Sequence, residues 1–203
     1  MAKEPPTLIF AGDSVTDCGR REDPTGLGSG YPALLAASPA LAGWRVLNRG
    51  VSGDRVGDQR HRWAEDVASP SPDVVSLLIG INNTWRRFDS DDPTTPADFE
   101  RDYRACVENV GEARLIMVEP FLLPLSLDQA LWREDLDPKI EVVRHLAREY
   151  DATLVEADVA LNLYPRPSEL TDDGVHPSVS GHQILAMMWL SAAHAVLAEV
   201  REG

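Results

Sequence analysis

Short apolar runs alternate along the chain with segments whose apolar residues recur at helical spacing. Five runs predict buried strands, at residues 7–11, 45–48, 73–79, 114–118 and 152–155. The helical patterns cover residues 31–41, with an interruption near Pro39, then residues 55–67, a stretch opened by Thr95-Pro96, one capped by Asp137-Pro138, and residues 178–200. Strands that alternate with helices form parallel sheets, so the pattern predicts an α/β fold of three layers, α/β/α, around a five-stranded parallel sheet.

Length and charge narrow the class of protein. The 203 residues predict one domain that spans residues 1–203. A formal net charge of −14 argues against binding to nucleic acid or to an anionic membrane surface. Cys18 and Cys106 are far apart and are expected to be free thiols. With no apolar segment at the N-terminus and no evident membrane span, we expect a cytoplasmic protein.

Glycine-containing turns follow the first three strands. They are Gly12-Asp13-Ser14, the segment from Gly50 to Asp54, and Gly80-Ile81-Asn82-Asn83. A loop after the fifth strand holds Asp173-Gly174-Val175-His176. The carboxyl ends of parallel strands meet at one edge of a sheet, where ligands of open α/β folds bind. We therefore expect these four segments to lie together.

Ser14, His176 and Asp173 could form a nucleophile with its base. A serine hydroxyl is a weak nucleophile until a base takes its proton, and imidazole can do so near neutral pH. Asp173 stands three residues before His176 and could accept a hydrogen bond from its Nδ1, which leaves Nε2 free for Ser14. Asp172 is the alternative partner, and Asp13 is expected to support the turn through backbone hydrogen bonds.

Three N–H donors could stabilise the negative charge that forms when Ser14 attacks a carbonyl. They are the backbone N–H of Ser14, the backbone N–H of Gly53 and the side-chain amide of Asn82. Loss of one such donor typically costs ~10²–10³ in rate. The scheme is acyl transfer to Ser14 followed by hydrolysis, and it calls for no metal and no cofactor.

Together these segments resemble the SGNH (GDSL-type) hydrolase superfamily. Its four namesake residues would fall on Ser14, Gly53, Asn82 and His176, in the order of the family and over nearly the whole chain. The resemblance implies the flavodoxin-like SGNH hydrolase fold and an ester hydrolase. One position departs, because the third block usually reads G-x-N-D and here Asn83 replaces the acidic residue.

The resemblance extends to intracellular bacterial acetylxylan esterases of this superfamily. It is carried by residues 12–20, the turn at residues 48–54, Trp63 and residues 79–86. It implies a small acetylated carbohydrate, above all a xylo-oligosaccharide, as the substrate, and a homo-oligomer. Trp85 could then offer an aromatic face to the sugar, although it could equally pack at an interface. Arg86 could position a polar group of the substrate.

Other interpretations stay open at this point. A lysophospholipase or thioesterase would share the fold, and a non-catalytic carbohydrate-binding protein would fit if Asn83 marked a decayed site. A nucleotide-binding protein is disfavoured, because Tyr31 stands where the third glycine of a dinucleotide fingerprint would be. The segment at residues 121–136 is expected to be a loop with a helical piece at the rim of the site. Trp63, Trp189 and His182 are expected to be structural.

Overall fold

A five-stranded parallel sheet runs through the middle of the protein. In the computed structural model, which describes residues 4–202, the strands are β1 (Thr7–Gly12), β2 (Arg45–Gly50), β3 (Val74–Leu78), β4 (Arg114–Val118) and β5 (Thr153–Val155). They lie in the order β2-β1-β3-β4-β5, and every neighbouring pair is parallel. The predicted sheet is confirmed. Residues 1–3 and 203, the ends of the predicted domain, lie outside the described part.

Helices connect the strands. They are α1 (Ser14–Asp17), α2 (Tyr31–Ala36), α3 (Val56–Trp63), α4 (Ile81–Asp89), α5 (Pro96–Val107), α6 (Leu127–Ala130), α7 (Arg133–Glu149), α8 (Ala157–Asn162) and α9 (Val179–Glu202). Two 3₁₀ turns, Pro39–Leu41 and Pro167–Glu169, and a π-helical turn after α3, Ala64–Ala68, complete the secondary structure. α5 begins as its sequence predicts, since Thr95 Oγ1 accepts a hydrogen bond from the Asp98 N–H at 3.1 Å.

The two faces of the sheet bury alternate residues of each strand. On β1, Leu8 and Phe10 face a cluster that holds Trp189 of α9, whereas Ile9 and Ala11 face a cluster that holds Trp63. The first cluster includes side chains of α2, α8 and α9, and the second includes those of α3, α5 and α7. The result is three layers, with both predicted core tryptophans almost fully buried.

Two helices differ from the sequence prediction. Residues 81–89 form α4, so Asn82, Trp85 and Arg86 lie on a helix and not on the loop expected after the third strand. α7 begins at Arg133, and Pro138 is its sixth residue, so Asp137-Pro138 is not the cap. Tertiary contacts stabilise the turn of α7 that precedes the proline. Leu136 is buried there, and Arg133 makes two hydrogen bonds to Asp158, at 2.7 and 2.8 Å.

The last helix needs separate mention. By length and composition alone, Val179–Glu202 could cross a membrane, which differs from the expectation that no such segment exists. Its apolar residues Leu185, Trp189 and Ala193 lie in the core of the fold. The Trp189 indole also donates a hydrogen bond to Ser76 Oγ on β3 at 2.9 Å. A helix that forms one layer of a core satisfies the same criterion of length and hydropathy.

Candidate active site

A tight turn at the end of β1 presents Ser14. Gly12 is paired with Gly50 of β2 and with Leu78 of β3, so the turn lies at the carboxyl edge of the sheet. A Cβ at Gly12 would overlap the Leu78 carbonyl oxygen, so only glycine fits there. Asp13 caps α1, since its Oδ1 accepts a hydrogen bond from the Val15 N–H at 3.1 Å. The half-buried Ser14 is therefore the first residue of a fixed helical turn.

The loop before α9 holds His176 in one orientation. Asp173 Oδ1 accepts hydrogen bonds from the backbone N–H groups of Val175 and His176, at 2.9 and 2.7 Å. Its Oδ2 lies 2.6 Å from His176 Nδ1. Thr171 Oγ1 closes the loop by donating to the His176 carbonyl at 2.9 Å. Asp173, and not Asp172, is thus the partner of the imidazole.

Ser14 Oγ lies 2.8 Å from His176 Nε2, although the two residues are 162 positions apart. With Nδ1–H donated to Asp173, Nε2 is free to accept the Ser14 proton. Partial burial raises the pKa of Asp173, but the hydrogen bonds from His176 and Val175 outweigh it and leave this pKa below its usual value. Asp173 is therefore a carboxylate, which is the form that stabilises an imidazolium.

The two further donors expected for an oxyanion site, Gly53 and Asn82, lie on segments that are hydrogen-bonded to α1 and to each other. Gly53 is exposed and has a φ of +88°, a conformation that favours glycine. The preceding residue, Ser52, donates its N–H and its hydroxyl to Asp17 Oδ2 on α1, both at 2.9 Å. Asn82 is buried on α4 and donates one amide hydrogen to the Asp54 carbonyl at 3.0 Å. Within residues 4–202, no hydrogen-bond acceptor is found for the backbone N–H of Ser14 or of Gly53.

The two residues predicted to contact substrate lie on successive positions of α4. The Trp85 ring centroid is 6.0 Å from that of His176 and 5.6 Å from that of Trp132. Arg86 pairs with Asp89 at 2.6 Å, and its guanidinium lies 5.6 Å above the Trp85 ring. Trp85 therefore lies beside His176, whereas Arg86 contacts Trp85 and Asp89.

Burial also perturbs the pKa of Asp13, the residue before Ser14. It raises the pKa of this carboxyl to about 7, against the opposing effects of the Val15 N–H and of nearby His176. Asp13 accordingly changes charge near neutral pH, at the position just before Ser14 in the chain. Its side chain faces the Val15 N–H, so the predicted role in the turn is confirmed.

Several residues of this region are not predicted from the sequence. Asp17 holds the segment with Gly53, and Trp132 extends the aromatic surface beyond Trp85. Arg62 on α3 contacts the ends of two strands. The position of Asp17, one helical turn after Ser14, could have indicated its role. The contacts of Trp132 and Arg62 span segments remote in sequence, and no local pattern indicates them.

A serine, a histidine and an aspartate linked in this way, at the carboxyl edge of a parallel sheet, are the arrangement of serine hydrolases. The family model of the GDSL-like lipases and acylhydrolases matches residues 10–184. The chain belongs to this family and is a carboxylic ester hydrolase of the SGNH fold.

Known proteins similar to this chain include an acetylxylan esterase of Geobacillus stearothermophilus. It is 39% identical over 204 residues, which cover 90% of this chain and 91% of the relative. The crystal structure of that organism's acetylxylan esterase Axe2 superposes with a TM-score of 0.81, at 34% identity, over 94% of this chain and 96% of Axe2. LAE5, an α/β hydrolase enzyme from the metagenome of Lake Arreo, has a TM-score of 0.82 at 29% identity, over 93% and 95% of the two chains.

Proposed function

We propose that this hydrolase removes O-acetyl groups from small carbohydrates, with xylo-oligosaccharides as the first candidates, through an acyl-enzyme on Ser14. The observation that carries the mechanism is the pair of short contacts, Ser14 Oγ to His176 Nε2 at 2.8 Å and His176 Nδ1 to Asp173 Oδ2 at 2.6 Å. Among the solved structures of the similar Axe2 are catalytic mutants in which a serine and an aspartate are replaced by alanine. They support the same assignment here.

In the first half of the reaction, His176 Nε2 takes the Ser14 proton while Oγ attacks the acetyl carbonyl carbon. The oxyanion is stabilised by the N–H groups of Ser14 and Gly53 and by the second amide hydrogen of Asn82. His176 then donates its proton to the sugar oxygen, the C–O bond breaks, and the deacetylated sugar leaves. Acetyl-Ser14 remains.

In the second half, His176 takes a proton from water, and the resulting hydroxide attacks the acetyl-Ser14 carbonyl. The same three donors stabilise the second oxyanion. His176 returns the proton to Ser14 Oγ as acetate leaves. Asp173 stays ionised throughout and stabilises the imidazolium in both halves.

Two observations support a sugar as the leaving group. Trp85 places an aromatic ring beside His176, and Trp132 lies next to Trp85. Aromatic faces are suited to the apolar face of a sugar ring. The net charge of −14 opposes substrates with phosphate groups, such as phospholipids and acyl-CoA. We extend the proposal to a cytoplasmic homo-oligomer that binds neither nucleic acid nor membranes, with Arg86 as a further contact to the sugar.

One observation favours a second candidate, an esterase or thioesterase for longer acyl chains. Leu127 and Leu131 of α6 and its C-terminal end are 88% and 56% exposed. α6 is tied to the catalytic loop, because Gln129 Nε2 donates a hydrogen bond to the Asp173 carbonyl at 2.7 Å. These leucines could accept a long acyl chain.

A substrate series decides between the candidates. We expect kcat/KM for p-nitrophenyl esters to fall steadily from acetyl to octanoyl, and acetate to be released from acetylated xylo-oligosaccharides. A preference for octanoyl would contradict the acetyl assignment and favour the second candidate. Wild-type protein that binds xylo-oligosaccharides without turnover would instead identify a binding protein.

Substitution of the nucleophile tests the mechanism. Ser14→Ala should reduce turnover by at least ~10⁴, because no acyl-enzyme can form. Ser191→Ala removes an exposed hydroxyl on α9 and is the matched control, with activity expected to equal that of wild type. Undiminished turnover by Ser14→Ala would refute the serine mechanism.

A further inference from the structure

All five N–H donors of the Arg62 guanidinium are engaged. Nε donates to Asp54 Oδ2 at 2.7 Å, and the two hydrogens of Nη1 go to the Arg49 carbonyl, at 2.8 Å, and to Asp66. Nη2 donates to Gln59 Oε1 at 2.8 Å and, at 3.3 Å, to the Gly12 carbonyl. The side chain is only 20% exposed, so these contacts are little weakened by solvent.

Three of these acceptors belong to the segments that carry the proposed active site. The Gly12 carbonyl precedes Ser14 by two residues, and the Arg49 carbonyl lies near the end of β2. Asp54 directly follows Gly53, and its backbone carbonyl accepts the amide of Asn82. The Arg62 side chain thus joins the turn that holds Ser14 to the segment that holds Gly53, and through Asp54 it is linked to Asn82.

The ion pair between Arg62 and Asp54 is partly shielded from water, which strengthens the attraction between the two side chains. Burial raises the pKa of Asp54, and the hydrogen bond and charge of Arg62 oppose this rise. The other side of the glycine segment is held by Asp17, which accepts two hydrogen bonds from Ser52. Arg62 and Asp17 therefore hold this segment from two helices, α3 and α1.

We propose that Arg62 is a positioning residue of the oxyanion site, which sets the Gly53 N–H and the Asn82 amide relative to Ser14. The inference rests on the proposed function, since it concerns the donors of that reaction. In this proposal Arg62 acts through these donors and does not contact the substrate. Lysine could not replace it, because an ammonium group reaches one or two of the five acceptors and lacks the planar fork of the guanidinium.

The expected signature is a loss in kcat with little change in KM. Donors displaced by a fraction of an ångström stabilise the transition state less but leave the binding of the neutral ester nearly unchanged. We expect Arg62→Lys to lower kcat for p-nitrophenyl acetate by ~10- to 100-fold and to change KM by less than about threefold.

Arg60→Lys is the matched control. Arg60 lies on the same helix, but it pairs with Asp102 at 2.8 Å and its side chain is 41% exposed. We expect kcat within twofold of wild type. Both variants are assayed at a temperature where circular dichroism shows them fully folded, so a loss of folded protein is not read as a loss of kcat.

Phenylboronic acid provides a readout that a purely structural role would not move. Its tetrahedral adduct with a serine places an oxygen where the oxyanion forms, so its inhibition constant should rise in Arg62→Lys in parallel with the fall in kcat. Inhibition by acetate, which reports ground-state binding, should stay unchanged. A boronate constant equal to that of wild type would overturn the inference.

Asp54→Asn keeps the shape of the side chain that pairs with Arg62, and it serves if Arg62→Lys does not fold. It should lower kcat by ~3- to 30-fold at unchanged KM, because a neutral amide holds Arg62 less tightly. A loss confined to KM, or kcat within twofold of Arg60→Lys in both test variants, would overturn the inference. If wild type lacks esterase activity, or Ser14→Ala retains it, the proposed function fails instead.

Discussion

Asn83 is a buried residue that joins three segments around the site. Its Oδ1 accepts a hydrogen bond from the Val56 N–H at 3.0 Å, at the first residue of α3. Its Nδ2 donates to Thr94 Oγ1 at 3.1 Å, in the connection before α5. The residue that departs from the usual G-x-N-D block thus accepts the first N–H of the helix that carries Arg62, and it has a structural role in the fold.

Substitution of Asn83 should separate these contacts. We expect Asn83→Asp to fold and retain activity within about tenfold, because a carboxylate still accepts from Val56 and the Thr94 hydroxyl can turn to donate. Asn83→Leu leaves the buried Val56 N–H without an acceptor and should lower the free energy of unfolding by ~1–3 kcal/mol. Urea denaturation measures the stability of both variants, and hydrolysis of p-nitrophenyl acetate measures their activity. A leucine variant more stable than the aspartate variant would show that Asn83 does not stabilise the start of α3.

At this scale the sequence predicts what short motifs carry. Ser14, Asp173 and His176 stand in local patterns that indicate their chemistry, and the structure brings all three together. The five acceptors of Arg62 come from residues 12 to 66, and only the folded backbone brings them around one guanidinium. A long-range hub of this kind has no local signature.

Among the elements, α4 and α7 show where tertiary contacts override local pattern. Gly80 and the polar Asn82-Asn83 pair are typical of a turn, yet a helix begins at Ile81 because that residue is buried against Leu122 and Leu136. The same cluster stabilises the part of α7 that precedes Pro138, because it includes Leu136. Burial of a few apolar side chains, worth ~1.5–3 kcal/mol each, is comparable to the cost of a proline in a helix.

Gly181 offers a test of how α9 docks. Alanine in a helix is usually more stable than glycine by ~1 kcal/mol. A Cβ here, however, would overlap the carbonyl oxygen of Leu170, just before the loop that holds Asp173 and His176. We expect Gly181→Ala to lower the free energy of unfolding by ~1–3 kcal/mol and to reduce kcat.

Gly57→Ala is the matched control for this substitution. Gly57 lies inside α3, and a Cβ there would meet only the end of the Asp102 side chain, at 3.3 Å. The variant should be as stable as wild type or more stable by up to ~1 kcal/mol. Equal effects of the two substitutions in urea denaturation would show that the contact with Leu170 does not constrain α9.

For the whole molecule, the alternation of strands and helices was sufficient to predict the layers, the parallel sheet and the shared carboxyl edge. The strand order is confirmed as flavodoxin-like, which the resemblance implied and the pattern alone did not. The shape of the rim around the site depends on α6, α8 and the start of α7, whose positions follow from ion pairs such as Arg133–Asp158 between distant segments.

Stability should depend on pH through His182, which links the two ends of the fold. Its Nδ1 accepts a hydrogen bond from the Tyr31 N–H at 3.2 Å, and its Nε2 lies 3.5 Å from Cys18 Sγ. Burial, with a smaller effect of His176, lowers the pKa of His182 from 6.5 to about 4. As the pH falls, the unfolded chain therefore binds this proton before the folded protein does. The contribution of His182 to the free energy of unfolding is complete above pH ~6.5 and is lost as the pH falls to ~4.

Urea denaturation of wild type and His182→Gln between pH 7 and pH 4 measures this contribution. The wild-type free energy of unfolding should fall relative to that of the variant by up to ~3 kcal/mol over this range. His145→Gln, which removes an exposed histidine of α7, is the matched control. Parallel curves for wild type and His182→Gln would refute the prediction. Asp13 is common to all three proteins, so its own titration largely cancels in the comparison.

The separation of 162 residues between Ser14 and His176 has a consequence for the nascent chain. During synthesis Ser14 leaves the ribosome long before His176 is made, and β1 pairs with β2 and β3 only after those strands follow. A chain that ends before Asp173 carries Ser14, Gly53 and Asn82 but lacks His176 to accept the proton of the serine hydroxyl. With the proposed triad, full turnover requires the segment with Asp173 and His176 to fold against Ser14, so ester hydrolysis would report that the whole chain has been made and folded.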